Sequence, residues 1–145
     1  MSIFSMFSVS ASGMDAQRLR AQVLVENIAN SDTTRTAEGG PYRRKDVVFS
    51  SRNLNEMEPA SFRSSLNAAI DGVSVDAVHM DDKAPERRYL PGHPDADADG
   101  YVAFPNLNPA EEMVDLLSAT RSYQANVSAI SAAKDMIQRS IDLFR

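Results

Sequence analysis

Three aspartates at alternate positions, Asp95, Asp97 and Asp99, run into Gly100. Carboxylates at that spacing, followed by a turn glycine, form the first half of a calcium-binding loop. The second half fails. Asn106 stands where a bidentate Glu belongs, Ala103 fills the ninth position, and Pro105 sits where an exiting helix would begin. Pro91-Gly-His-Pro94 leaves no room for an entering helix. An acidic turn in solvent is the simpler reading, with a small calcium-responsive binding module kept as an alternative. His79 and His93 are the only imidazoles, and neither has further ligands at metal-site spacing or a nucleophile motif beside it. Gly39-Gly40 is followed by Pro41 rather than by a helix start, so no phosphate cradle is expected there. No catalytic, cofactor-binding or metal-ligating residue is assigned, and an enzyme is not expected.

The elements around these residues point to assembly. From Ala110 to Arg145 there is neither Gly nor Pro. Leu116, Tyr123, Ile130, Ile137 and Phe144 recur every seven positions, with Met113, Thr120, Val127, Lys134 and Ile141 as a second row. A helix of about 36 residues would be roughly 54 Å long. Its start is legible: Asn108 caps, Pro109 suits the first helical position, and Glu111 completes a capping box. Lys134 marks the first row as the more deeply buried. Residues 4–30 form a second helical candidate. Phe7, Met14, Ala21 and Ile28 make its main row, with Ala11 and Val25 alongside, Arg18 interrupting, and Gly13 weakening the first turns.

Between the helices the chain reads as loop and short strands. Ser31 to Pro41 is an exposed loop. Val47-Val48-Phe49, Val73 to Val78 and Tyr101 to Phe104 read as strands. Arg52 to Glu58 reads as loop, and Pro59 to Ile70 as a short helix ended by Gly72. Asp81 to Arg88 is charged and exposed, and Tyr89 to Pro105 is extended and loop-rich. The expected fold is mainly α with a small β-containing middle. Long N- and C-terminal helices pack as an antiparallel coiled coil, with short strands and loops between. The domain boundaries are 1–34, 35–107 and 108–145.

Composition removes other classes. A formal net charge of −5 over 145 residues argues against a general nucleic-acid or anionic-membrane binder. There is no cysteine, which excludes disulfides and thiolate metal sites. No apolar run approaches the roughly 20 residues that span a bilayer, and Met1 to Ser10 lacks the basic start of a cleaved secretory signal. Arg43, Arg44, Lys45 and Arg52 form a basic cluster, while Asp95, Asp97, Asp99, Glu111, Glu112 and Asp115 fill a window without Lys or Arg. These read as solvated faces or, in a polymer, as charges that set register between subunits.

Three stretches resemble the flagellar rod and hook family of axial proteins. They are Glu26-Asn-Ile-Ala-Asn30-Ser-Asp-Thr33 with Gly40-Pro-Tyr42-Arg-Arg-Lys45, then Tyr89 through Asn106, then Glu112 through Ala119 with Arg121-Ser-Tyr123-Gln-Ala-Asn126. The short middle favours a proximal-rod member over the longer distal-rod and hook members. The resemblance implies a structural subunit of the proximal rod of the bacterial flagellar basal body, a hollow drive shaft that transmits torque for motility. It implies export unfolded through the flagellar type III apparatus, a place in the periplasmic rod, and terminal helices forming an inner coiled-coil layer. The implied partners are other rod proteins (FlgB, FlgF, FlgG and FliE) and copies of the chain itself, with the MS ring nearby, no nucleic acid, no direct membrane insertion and no cofactor. The assembly positions are Asn27, Asn30, Tyr42, Tyr123 and Asn126, which the resemblance implies, and Met14, Ala21, Val25, Ile28, Leu116, Ile130 and Ile137, which the helical rows supply. Thr33 matches the same N-terminal signature, and Asp97, Gly100, Tyr101 and Pro105 match a middle signature. A free-standing cytoplasmic coiled-coil adaptor is the other alternative.

Overall fold

The computed structural model describes residues 3–53 and 71–143. Helix α1 spans Ile3–Ala29 and helix α2 spans Pro109–Leu143. Between them lie strands β1 (Lys45–Asn53), β2 (Asp71–Met80), β3 (Glu86–Tyr89) and β4 (Tyr101–Phe104). The chain is thus mostly helical with two small sheets, β1–β2 and β3–β4, both antiparallel. No described helix is long and apolar enough to cross a membrane. The helix read at Pro59 to Ile70 lies outside the described residues.

The α2 start forms as its residues dictate. Asn108 Oδ1 accepts the Ala110 N–H at 3.0 Å, and the Asn108 carbonyl accepts the Glu112 N–H at 3.1 Å. Glu111 completes the box through side chains, accepting from Asn108 Nδ2 at 3.3 Å. Glu111 and Glu112 also lie where the helix dipole favours negative charge.

The two helices pack along rows of small and polar residues. Ala16, Val23, Leu24 and Asn27 are buried on α1, and Glu112, Ala119 and Ala133 on α2. On α2 the buried apolar residues are alanines, whose small side chains let the backbones approach closely, while α1 buries Val23 and Leu24 beside Ala16. Gly13 belongs to the same line: a Cβ there would meet Asn126 Nδ2 at 3.0 Å. The glycine that weakens the helix locally is what admits the Asn126 amide. The large apolars flank this line. Met14, Ala21 and Ile28 are half-buried on α1, while Val25 is 51% exposed. Leu116, Ile130 and Ile137 are half-buried on α2, and Met113, Val127 and Ile141 are exposed.

Three readings of the middle region change, the first being that Arg52 and Asn53, read as the start of a loop, are the last residues of β1. Gly72 lies within β2, paired with Arg52, rather than ending a helix. Glu86–Tyr89, inside the charged segment, is β3, because Arg88 pairs with Val102 and Tyr89 with Tyr101. Pairing with β4 supplies what the strand's own charged sequence lacks. The β1–β2 register slips between Val48, opposite Ala77, and Phe49, opposite Val75. Asp76 is therefore the extra residue of a bulge.

Candidate functional site

Asn27 is fully buried, at 0% exposure, where α1 ends, β1 begins and α2 begins. Its amide nitrogen donates to the Lys45 carbonyl at 2.8 Å and to Glu112 Oε2 at 2.9 Å. Its amide oxygen accepts the Tyr42 hydroxyl at 2.9 Å and the Lys45 N–H at 3.0 Å. Two donors and two acceptor sites are all an Asn side chain has, so the group is saturated. By taking both backbone groups of Lys45, the amide does for the β1 edge what a neighbouring strand would do.

Glu112 is the charged partner and is 2% exposed. Its Oε1 accepts Arg44 Nε at 2.6 Å, while Oε2 accepts from Asn27. A buried carboxylate needs such pairing, since an isolated charge in the interior is strongly unfavourable. Burial pulls the Arg44 guanidinium down, but its hydrogen bond to Glu112, the Glu112 charge and Asp46 outweigh that and hold it above the usual arginine value. Lys45 Nζ pairs with Glu26 and lies 5.7 Å from the Tyr42 ring centre, closing the outer side. The resulting clasp ties three elements that are far apart in sequence.

Burial, followed by the charges of Glu26 and Glu112, pushes the Tyr42 hydroxyl up to about 12. The folded value therefore exceeds the ordinary value of 10.0, and the folded state holds this proton more tightly. The stabilisation is complete below pH 10 and is lost as pH rises through 12. In a tyrosinate absorbance titration, one of the four tyrosines should ionise last, together with loss of helical circular dichroism. Tyr42→Phe should remove that late step.

The end of α1 is built from the neighbouring signature residues. Asn30 Nδ2 donates to the Glu26 carbonyl at 2.9 Å, and Asn30 Oδ1 accepts Thr33 Oγ1 at 3.1 Å. Thr33 in turn accepts the Tyr42 N–H at its carbonyl at 3.0 Å. Asn30 thus occupies orphan carbonyls at the helix end, and Thr33 returns the chain so that Tyr42 reaches Asn27.

The aspartate motif is a turn. Asp97 Oδ1 accepts the N–H groups of Tyr101 (2.8 Å) and Asp99 (3.0 Å), and Arg87 Nη2 pairs with Oδ2. The Tyr101 N–H, with help from Arg87 and the Asp99 N–H, holds the Asp97 carboxyl below the usual carboxylate range. Asp95 accepts Thr34 Oγ1 at 2.8 Å and pairs with Arg35 at 3.7 Å, fastening this loop to the chain just after α1. These carboxylates therefore do not converge. Among the described residues no three His, Cys, Asp or Glu side chains are grouped to hold a metal ion. Gly100 has φ +81°, and a Cβ there would lie 2.9 Å from Tyr89 Cε2 and 3.2 Å from Pro91 Cβ. Gly100→Ala is expected to lower the unfolding free energy by about 2 kcal/mol, since left-handed backbone and a clash against Tyr89 add up. Urea denaturation measures this, and an unchanged midpoint would mean that the Tyr89–Tyr101 pair, with ring centres 5.3 Å apart, gives way freely.

Sequence-expected positions fall into separate groups. Asn27, Asn30 and Tyr42 meet at the clasp, whereas Asp97, Gly100, Tyr101 and Pro105 form the β3–β4 end. Asn126 faces Gly13, and Tyr123 is 39% exposed. Glu112, Arg44 and Lys45 were legible as members of charge clusters and of the stretches that resemble the family, with no partner assigned to any of them. Glu112 also carries a helix N-terminal signal, which accounts for a carboxylate there without burying it. The charges read as possible register-setters thus meet partly within one chain, through Arg44–Glu112.

Comparison with known proteins gives the same picture over the whole length. A family model described as "Flagellar basal body rod FlgEFG protein C-terminal" matches residues 98–143. The flagellar basal-body rod protein FlgC of Bacillus subtilis is 42% identical, covering 99% of this chain and 99% of the relative. That of Borreliella burgdorferi is 39% identical, covering 100% of this chain and 99% of the relative. That of Salmonella typhimurium is 38% identical, covering 99% and 98%. The chain belongs to the FlgC family. In this FlgC-family chain the clasp joins Glu112, inside the matched C-terminal segment, to Asn27 and Tyr42, both outside it.

Proposed function

We propose that the chain is a non-enzymatic structural subunit of the proximal rod of the bacterial flagellar basal body. Similarity to FlgC proteins over essentially the whole length carries this reading. Residues 1–34 and 108–145 form the inner helical layer of a hollow axial tube, and residues 35–107 form its outer part. The order of contacts supports an antiparallel coiled coil: Gly13 lies beside Asn126, Arg20 pairs with Asp115 at 3.5 Å, and Asn27 bonds Glu112. Copies of the chain and other rod proteins, FlgB, FlgF, FlgG and FliE, cover the apolar side chains that the monomer leaves exposed. The chain reaches the periplasm through the flagellar type III export apparatus and transmits torque once assembled. The clasp holds the two terminal helices and the outer part at a fixed angle, as a subunit under torque requires.

Fractionation tests this reading. A tagged full-length chain should co-purify with detergent-extracted basal bodies, and its deletion should abolish swimming with rods arrested before the distal segment. Recovery only in the soluble cell fraction, with motile deletion cells, would favour the adaptor reading instead.

A further inference from the structure

Two side-chain amides come together where α1 and α2 cross at Gly13. A Cβ on Gly13 would lie 3.0 Å from Asn126 Nδ2, 3.4 Å from its Cγ and 3.5 Å from its Oδ1, so the Asn126 amide rests against the bare backbone of α1. Gln17 stands one turn further along α1. Helical side chains tilt towards the helix N-terminus, so the Gln17 side chain covers the turn that begins at Gly13. Its Oε1 is buried and accepts no hydrogen bond from any described residue. The Asn126 amide makes none among the described residues either. Buried polar atoms are almost always paired, as the saturated Asn27 amide is, and an open acceptor is unfavourable.

We propose that Asn126 Nδ2 donates to Gln17 Oε1 and that this amide pair fixes the register of the two helices. Rotation about the terminal side-chain torsions is all the bond needs, because both amides share the space that Gly13 leaves. Each amide carries donors and an acceptor, so the two match whichever way either is turned. Ser122 is the neighbouring half-buried donor on α2, but its short side chain tilts towards the α2 N-terminus and away from Gly13. Alanines such as Ala16 and Ala119 pack equally well in more than one register, whereas a polar pair is satisfied in one. Sliding either helix by a turn would leave the Gln17 acceptor open. The clasp at Asn27 lies about 21 Å further along α1, at 1.5 Å per residue. The seam is thus pinned at two polar points, which removes both sliding and swivelling. That this register serves rod assembly rests on the function proposed above.

Hydrogen exchange in the isotopically labelled full chain tests the bond directly. One Asn126 Nδ2 proton should exchange about tenfold more slowly than a free amide, and Gln17→Met, which keeps the side-chain length, should return it to the free rate. Free exchange in the folded wild-type chain, or slow exchange that survives Gln17→Met, overturns the pair. Urea denaturation gives a second measurement. Gln17→Met and Asn126→Leu should each lower the folding constant about tenfold, and the double variant about tenfold rather than a hundredfold, because the second change strands no partner. Losses that multiply to about a hundredfold, or a Gln17→Met chain as stable as the wild type, overturn the pair. A loss in Ser122→Ala equal to that in Asn126→Leu makes Ser122 the donor and also overturns it. Both measurements use the purified chain, so they stand apart from the rod reading. Motility separates register from plain stabilisation: the double variant, although folded, should swim poorly. Normal swimming overturns the register role and leaves the rod reading intact.

Discussion

Asn27→Leu is expected to lower the unfolding free energy of the chain by about 3 to 5 kcal/mol. The side chain keeps its size, so the loss is almost wholly polar. Four hydrogen bonds go at once, leaving the Tyr42 hydroxyl, both backbone groups of Lys45 and one oxygen of Glu112 without their partner. Glu112 stays buried with only Arg44 to answer its charge. Urea denaturation of the purified chain gives the size of the loss, and a change under 1 kcal/mol (roughly one ordinary hydrogen bond) would contradict the clasp. Asn27→Asp separates the electrical part. It retains an acceptor for Tyr42 but sets a second carboxylate where Nδ2 lies 2.9 Å from Glu112. Like charges that close raise the folded pKa above the unfolded value, so the folded pair holds an extra proton. The variant should therefore be most stable at low pH and lose stability as pH rises through that raised value. A pH-independent deficit would mean that the two carboxylates avoid each other by moving apart.

Ile130→Asp should abolish swimming while the full-length chain is still exported. Ile130 is half-buried one turn before Ala133, which is 4% exposed, on the side of α2 that meets α1. A carboxylate there costs on the order of 3 kcal/mol in helix pairing, because it is carried into the half-buried side of α2 and the exposed Lys134 one turn on answers it only at the surface. Under the proposed function, export threads an unfolded chain and so tolerates the change, whereas assembly needs the helices paired. Lys134→Asp, on the exposed side of the same turn, is the control and should swim normally. Normal rods bearing Ile130→Asp would remove Ile130 from the seam, and failure of export would mean that the defect precedes assembly.

The two long helices and strand β4 were legible because their signals are local. Asn108 and Pro109 start α2, the absence of Gly and Pro sustains it, and Tyr101 to Phe104 has β-rich residues bounded by Gly100 and Pro105. Strand β3 was not legible, because Glu86-Arg-Arg-Tyr89 carries no alternating apolar pattern and exists through its partner. The deepest row of each helix was not legible either. Seven-residue repeats mark Met14–Ala21–Ile28 and Leu116–Ile130–Ile137, yet the buried residues are Ala16, Val23, Leu24 and Asn27 on α1 and Glu112, Ala119 and Ala133 on α2, because the line of contact is set by how the two helices cross.

At the clasp the division is sharpest. The sequence by itself identified Asn27, Asn30, Thr33 and Tyr42 as a set, through the likeness of one segment to a family. It placed Glu112 in an acidic window and Arg44 in a basic cluster, both complete as local explanations. Only the tertiary structure brought a residue 85 positions away onto the Asn27 amide and turned a surface carboxylate into a buried one. The reason is physical. Propensity, capping and periodicity act over a few residues of chain, whereas saturation of a buried amide depends on which distant groups arrive at its four hydrogen-bonding sites.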